Sequence, residues 1–469
     1  MIDQRVAPAT ALVALTSIAL LAGCGGDSFE PVERIVVVTI DTLRADQLGT
    51  YGGPAPTPNL DRMASKARVF ERAYAQAPIT HPSLSSMWSG LLPSQHGVMS
   101  QFHRLAPSVV SVPVLAKQAG YHTAAVVANL CKLQEHKGTV FHDGLDVLEC
   151  AMLDGREQWE WDRAVVAGGL AQLERTSGPL LLWLHLMDPH SEHRPPPHLW
   201  DWELDPPRDP KEQNLVFDGY QRRVTRPEDA EYNRLWALYR AQIAGVDETL
   251  GPLFDTLEPR LDTDTALIVA SDHGEELFES WPYYGHGDSL SEGVLRVPLF
   301  VRAPRVAPER RAETVELLQV APTVLDLLDI KVPYPLAGPS LLARHPGADI
   351  AIAQLLGSLG TARDDEHRLW PGMEPDGRSS PWRPWPGSPW RRKAQWFQPP
   401  GALVSYPIAQ SALPTLTRAD DGAARERRAN LRERYEERLS GLAPLAGGGS
   451  AIEDEALLEQ LRTLGYLGD

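Results

Sequence analysis

"RIVVVTIDTLRAD", residues 34–46, places seven mostly apolar and β-branched residues directly before an aspartate and a polar, loop-like stretch. A continuous apolar run of this length fits a strand buried on both faces, which is the habit of parallel sheets. The rest of the chain repeats the theme. Strands are expected at "HTAAVVA" (122–128), "PLLLWLHLM" (179–187), "TALIVAS" (265–271) and "RVPLFVRAP" (296–304). Between them lie helical patterns. "TPNLDRMASKARVFE" (57–71) opens with a threonine and a proline, as helix starts do. "SVPVLAKQA" (111–119) stops at Gly120. A helix with tryptophans runs around 158–175, a long one fills 229–257, and a shorter one covers 315–330. Alternating strands and helices predict an α/β fold: a central, mostly parallel sheet with helices on both faces.

The 469 residues carry a net charge of -17, and 43% are hydrophobic. That allows one large core, and the acidity with no basic stripe argues against a nucleic-acid-binding role. Residues 1–24 hold Arg5 and the apolar stretch "APATALVALTSIALLAGC", too short and alanine-rich for a spanning helix. Its end, "LAGC" (21–24), resembles the bacterial lipobox, which implies lipidation of Cys24 and anchoring in the cell envelope, in the periplasm or at the outer membrane. An ordinary signal peptide cut after small residues is the alternative. Cys131 and Cys150 are the other two cysteines; in an exported protein they are able to pair, and their spacing is not that of a zinc site. The helix–strand pattern fades after about residue 345. We therefore divide the chain into a signal peptide (1–24), an α/β domain (25–345), an irregular C-terminal region (346–445) and a linker with a terminal amphipathic helix (446–469).

Three of the buried strands end in ionisable residues: Asp41 after the first, Asp188 and His190 after the third, Asp272 and His273 after the fourth. Ligands of open α/β sheets bind at the carboxyl ends of strands. Any one such aspartate is commonly a cap or a turn residue; three together suggest one site. Asp and His suit a hard or borderline divalent cation. In "ITHPSLSSMWSG" (79–90), Thr80 stands at the mouth of a helix, where it is either a cap or a nucleophile.

The motifs "VVTIDTLRAD", "TPNLDRMA", "LLPSQHGV", "QAGYHTA", "LHLMDPH", "VASDHGEE", "GHGDSLSEGVLRVP" and "APTVLDLL" occur in the order found in the sulfatase-like branch of the alkaline phosphatase superfamily. The resemblance covers roughly residues 34–340 and is carried by the set, each motif being weak alone. It implies a three-layer α/β/α fold of the alkaline phosphatase kind with a reduced C-terminal region. It also implies hydrolysis of sulfate or phosphate esters with a divalent cation: Ca, Mg, Mn or Zn. Asp41, Asp272 and His273 would ligate it. Thr80 falls where the family places its nucleophile, itself in contact with the metal. His190 and His286 fall where the family binds the anion, protonates the leaving group or holds a second metal. His193 is a lesser candidate, and His185 is expected to pack on the strand face.

The chain departs from the sulfatase pattern at the nucleophile. Formylglycine formation needs Cys or Ser, then Pro two and Arg four residues on; here stand Thr80, Pro82 and Leu84. Cations expected after the second strand fall near Ala128 and Leu130, and a further lysine falls at His286. "SSPWR" (379–383) matches the modification pattern but lies after the metal motifs, in a segment rich in Pro, Trp and Arg. Threonine nucleophiles belong to the phosphodiesterases and headgroup transferases of the superfamily. The expected partner is therefore an anionic ester, and the preferred chemistry is phosphoester cleavage through Thr80. A headgroup transferase and a non-catalytic, metal-containing envelope protein are the alternatives.

Overall fold

The computed structural model describes residues 31–152, 155–201, 229–278, 284–287, 290–331, 334–347 and 351–355, with short pieces beyond. The lipobox with Cys24, the "SSPWR" segment and the terminal helix lie outside the described residues.

The opening stretch forms β1 (Arg34–Ile40), with every residue buried. It pairs in parallel with β5 (Leu180–Leu186) on one side and β6 (Thr265–Ser271) on the other. Beyond β5 come β3 (His122–Val127) and β4 (Val147–Cys150), both parallel. Beyond β6, β10 (Leu299–Arg302) runs antiparallel, followed by β2 (Arg68–Tyr74) and β11 (Glu309–Glu316). The order is β11-β2-β10-β6-β1-β5-β3-β4, with β9 (Arg296–Val297) beside β2. The sheet is mostly parallel, as the pattern predicts.

Successive side chains of a strand point to opposite faces. Ile35 and Val37 of β1 join one core together with Leu84, Met87 and Trp88 of α2 (Thr80–Ser89). Val36, Val38 and Ile40 join the other, with Val165 of α5 (Gln158–Arg175) and Tyr239, Ile243 and Leu250 of the long helix Asp229–Leu257. Two cores on two faces make the three layers.

Three elements differ from the sequence reading. The helix expected over 57–71 ends at Ala64, and 68–74 is strand β2, because its residues find partners on β10 and β11. The helix expected over 315–330 shortens to Val320–Leu327 with a 3-10 turn before it, since β11 claims residues up to Glu316. The C-terminal region is not wholly irregular. Ala351–Leu355, Leu359–Arg363, His367–Leu369 and Val404–Ser405 form a four-stranded antiparallel sheet. Among the described residues no helix is long and apolar enough to cross a membrane.

Cys131 and Cys150 form a disulfide across 19 residues, tying the turn after β3 to the end of β4. Closing a loop of this length removes unfolded-chain entropy worth about 3 kcal/mol. Reduction is expected to lower the unfolding free energy by that order, read from urea denaturation with and without reductant.

Candidate active site

Asp41 continues the alternation of Ile35, Val37 and Thr39, so it emerges from β1 on the α2 side of the sheet. Its neighbour Thr42 adopts a left-handed conformation (φ 53°). That turn sends the Thr42 N–H to Asp272 Oδ1 (3.3 Å), while Tyr239 Oη donates to the Thr42 carbonyl (2.7 Å). Asp272 follows β6, and its Oδ1 also accepts the His273 N–H (2.8 Å). Glycine is required next: a Cβ on Gly274 would lie 2.0 Å from the Gly293 carbonyl oxygen. The Ser83 hydroxyl of α2 donates to the Asp272 carbonyl (2.6 Å), docking the helix on this strand end.

Thr80 is the first residue of α2; Ile79 holds the capping position and no side chain caps the helix. Thr80 therefore lies one residue inside the capping position. Its Oγ1 lies 3.4 Å from His273 Nε2, which is 3.4 Å from Asp272 Oδ2 and 3.9 Å from Asp41 Oδ1. The helix end offers an anion fewer amides than the sequence suggests. The His81 N–H donates to Gln101 Oε1 (2.8 Å), and Pro82 has none.

The structure thus brings Asp41, Thr80, Asp272 and His273 together, all fully buried. His286 lies tilted against His273 (ring centroids 4.5 Å) and meets His190 edge-on (5.0 Å). Asp188 is turned elsewhere: its Oδ1 accepts Gln242 Nε2 (2.8 Å), and the same glutamine accepts from His193 Nδ1 (2.6 Å). Burial, then the neighbouring Asp162 carboxyl, pushes Asp188 well above the usual carboxylate range.

Three residues escaped the sequence reading. His185, expected to pack on the strand face, brings Nε2 to 3.6 Å from Asp41 Oδ2. It shares the α2 face with Leu181 and Trp183, but sequence cannot say which face meets α2. Asn129, between the apolar Ala128 and Leu130, donates to Asp41 Oδ2 (2.5 Å). Glu275, fully buried, lies with Oε1 3.0 Å from His286 Nδ1. A buried carboxylate so placed holds the proton on Nδ1, leaving the lone pair of a neutral His286 on Nε2. The two glutamates that close "DHGEE" were the available signal. Glu275→Gln is expected to lower kcat about tenfold to a hundredfold with an unchanged melting curve, measured by steady-state kinetics beside circular dichroism.

The electrostatics fit a cation. Burial alone would raise Asp41, but the contact with His185 and the charges of His190 and His273 outweigh it and hold Asp41 below the usual range. Burial, then the Asp41 charge, pushes Asp272 well above it. Without a cation, two neighbouring buried carboxyls cannot both ionise cheaply. Burial lowers His273 to about 3, so its imidazole is neutral, the form that binds metal. Asp41 Oδ1 and Asp272 Oδ2 are buried with no hydrogen-bond partner among the described residues, as is His185 Nε2. Ligand atoms of Asp41, His185 and Asp272 lie within 4.8 Å of one another.

A three-layer α/β/α fold with a buried acidic, histidine-rich cluster at the strand ends defines a class: metal-assisted hydrolases of anionic esters. The chain belongs to the sulfatase family, whose model matches residues 33–330. It is 24% identical over 361 residues to the Escherichia coli K12 protein called uncharacterized sulfatase YidJ, covering 66% of this chain and 70% of that one. Against the choline-sulfatase of Rhizobium meliloti strain 1021 it is 25% identical over 354 residues, 64% of this chain and 68% of that one. The crystal structure of the phosphonate monoester hydrolase of Agrobacterium radiobacter matches with a TM-score of 0.68 at 16% identity, over 90% of this chain and 100% of that one. The protein is a hydrolase acting on ester bonds, with the α/β fold of the alkaline phosphatase superfamily.

Proposed function

We propose that the protein cleaves phosphate esters, diesters foremost, with Thr80 as nucleophile. The observation that carries this is the position of Thr80 Oγ1, 3.4 Å from His273 Nε2 beside the paired carboxylates Asp41 and Asp272. Asp41, Asp272 and His273 would hold a divalent cation, which when bound lowers the pKa of a hydroxyl and neutralises anionic charge. Thr80 Oγ attacks phosphorus in line as its proton passes to the Nε2 lone pair of His286 or His190, and a Thr80 phosphoester forms. The bond to the leaving alkoxide breaks, and that oxygen takes the same proton back from the imidazolium. Water then attacks phosphorus and gives a proton to the imidazole, which passes it to the departing Thr80 oxygen.

Threonine favours phosphorus over sulfur. It lacks the paired hydroxyls on one carbon through which a formylglycine hydrate expels sulfate as the aldehyde reforms. A sulfated threonine would instead wait for attack of water at sulfur. Apolar Ala128 and Leu130, where cations were expected, suit a singly charged diester better than a dianionic monoester. The choline-sulfatase relative favours the second reading, sulfate ester hydrolysis. Purified protein, with Zn, Mn, Mg or Ca in turn, is to be given an aryl phosphodiester, an aryl phosphate and an aryl sulfate, beside Thr80→Ala. Diester turnover that vanishes in the variant supports the proposal; turnover of sulfate alone sinks it.

We also place the protein in the bacterial envelope, anchored through lipidated Cys24. The Cys131–Cys150 disulfide supports export, since such bonds persist in oxidising compartments. Fractionation of cells expressing wild type and Cys24→Ser tests this: wild type should sediment with membranes and the variant should not.

A further inference from the structure

Thr39 of β1 and His185 of β5 are register partners in the parallel pair, and Trp183 stands two residues before His185 on the same face. All three are buried. The Trp183 Nε1–H, a donor only, lies 2.8 Å from Thr39 Oγ1. That oxygen is also 2.8 Å from His185 Nδ1 and 3.3 Å from the Leu184 carbonyl. Trp183 is itself wedged edge-on against Trp88 of α2 (ring centroids 5.4 Å) and tilted against Phe141 (5.2 Å), so its indole is held in place.

A hydroxyl has one proton and two lone pairs. The indole N–H occupies one lone pair. When the hydroxyl proton goes to the Leu184 carbonyl, the second lone pair accepts His185 Nδ1–H, and all three contacts are hydrogen bonds. The opposite arrangement gives the hydroxyl proton to Nδ1. It forfeits the bond to Leu184 and puts the imidazole proton on Nε2, 3.6 Å from Asp41 Oδ2, outside hydrogen-bond range. The arrangement that satisfies most groups therefore leaves a lone pair on His185 Nε2. That lone pair lies among the oxygens of Asp41 and Asp272, within 4.8 Å of both ligand atoms. A lone pair beside two ionised carboxylates is repulsive, and a cation between them removes that repulsion while both carboxyls stay ionised.

We propose that Trp183 and Thr39 are positioning residues that fix the His185 tautomer, so that His185 Nε2 joins Asp41 and Asp272 in holding the divalent cation. This rests on the metal-dependent reading above and adds a ligand that the family resemblance does not assign. Outer partners that orient a metal-binding imidazole change metal affinity about tenfold to a hundredfold.

Zinc and manganese binding to the full chain is to be measured by calorimetry for wild type, Thr39→Val, Thr39→Ser and His185→Gln, with circular dichroism to confirm folding. Thr39→Val, which keeps the shape and removes the hydroxyl, should weaken binding by about tenfold to a hundredfold. Thr39→Ser should stay within about threefold of wild type, which a purely steric role of Thr39 would not require. Equal affinity in wild type and Thr39→Val overturns the inference. Should Thr39→Val fail to fold, the 15N spectrum of histidine-labelled wild type decides, with the His185 signals assigned through His185→Gln. A proton on Nδ1 and a metal-shifted Nε2 support the inference; a proton on Nε2 in the metal-loaded protein overturns it. If wild type binds neither metal and turns over no ester, the metal-dependent reading fails, and this inference with it.

Discussion

Thr80→Ala is expected to lower diester turnover by about a thousandfold or more while leaving the protein folded and able to bind metal. Removing a covalent nucleophile costs orders of magnitude, because the remaining machinery stabilises a transition state that can no longer form. Structural damage should be slight. Thr80 occupies the first helical position of α2, the capping position belongs to Ile79, and alanine is a good helix former. The lost contact to His273 is long, at 3.4 Å, so its removal costs about 1 kcal/mol or less. Thr80→Ser keeps the hydroxyl and should remain within about tenfold of wild type. Burst kinetics with a chromogenic diester, together with thermal melts, check both variants. A Thr80→Ala enzyme with wild-type kcat would remove Thr80 from the mechanism.

Asp272→Asn should act in opposite directions on metal affinity and on metal-free stability. Asp272 Oδ1 accepts the N–H groups of Thr42 and His273, and an asparagine oxygen can accept both. Its Oδ2 has no hydrogen-bond partner among the described residues, and the amide NH2 would replace it there. Burial and the Asp41 charge already push Asp272 well above the usual carboxylate range, so the metal-free fold prefers the neutral acid that asparagine mimics. The sign follows from proton binding. The folded state holds this proton more tightly than the unfolded chain, so the stabilisation is present at low pH. It is lost as pH climbs from about 4, the ordinary aspartate value, through the raised folded value. Metal-free wild type should therefore lose stability with rising pH across that window, and Asp272→Asn should lose less. Metal addition should reverse the ranking. A charged ligand is gone, and zinc or manganese affinity should fall on the order of a hundredfold or more. Melting curves across pH, with chelator and with added metal, separate the two effects. A variant that is less stable than wild type without metal at neutral pH would contradict the account.

Most of the fold was legible because the apolar runs are long and their periods clean. "RIVVVTI" and "TALIVAS" coincide with β1 and β6, and the long helix 229–257 was bounded correctly. Residues 68–74 failed because their pairing is non-local: β2 is a strand only through β10 and β11. The small C-terminal sheet was hidden because its strands are short: Ala351–Leu355, Leu359–Arg363 and His367–Leu369 pair locally, and Val404–Ser405 joins them across a long separation.

The candidate site divides along similar lines. Asp41, Asp272 and His273 announce themselves as ionisable residues at the ends of apolar strands, and Thr80 and Leu84 mark where the chain leaves the sulfatase pattern. Those features sit in the covalent order of the chain, and local periodicity is enough to reveal them. The sequence also sets the face of each strand residue relative to its neighbours, so Thr39 and Asp41 must share one face and Trp183 and His185 another. Only the tertiary structure makes these the same face, because strand order and the side covered by α2 are decided by long-range packing. That packing brings His185 to Asp41 across 144 residues and Glu275 to His286 across a loop. No short-range pattern records the first contact, which depends on where two distant strand ends come to rest; the second flanks the local antiparallel pairing of Glu276 with Gly285.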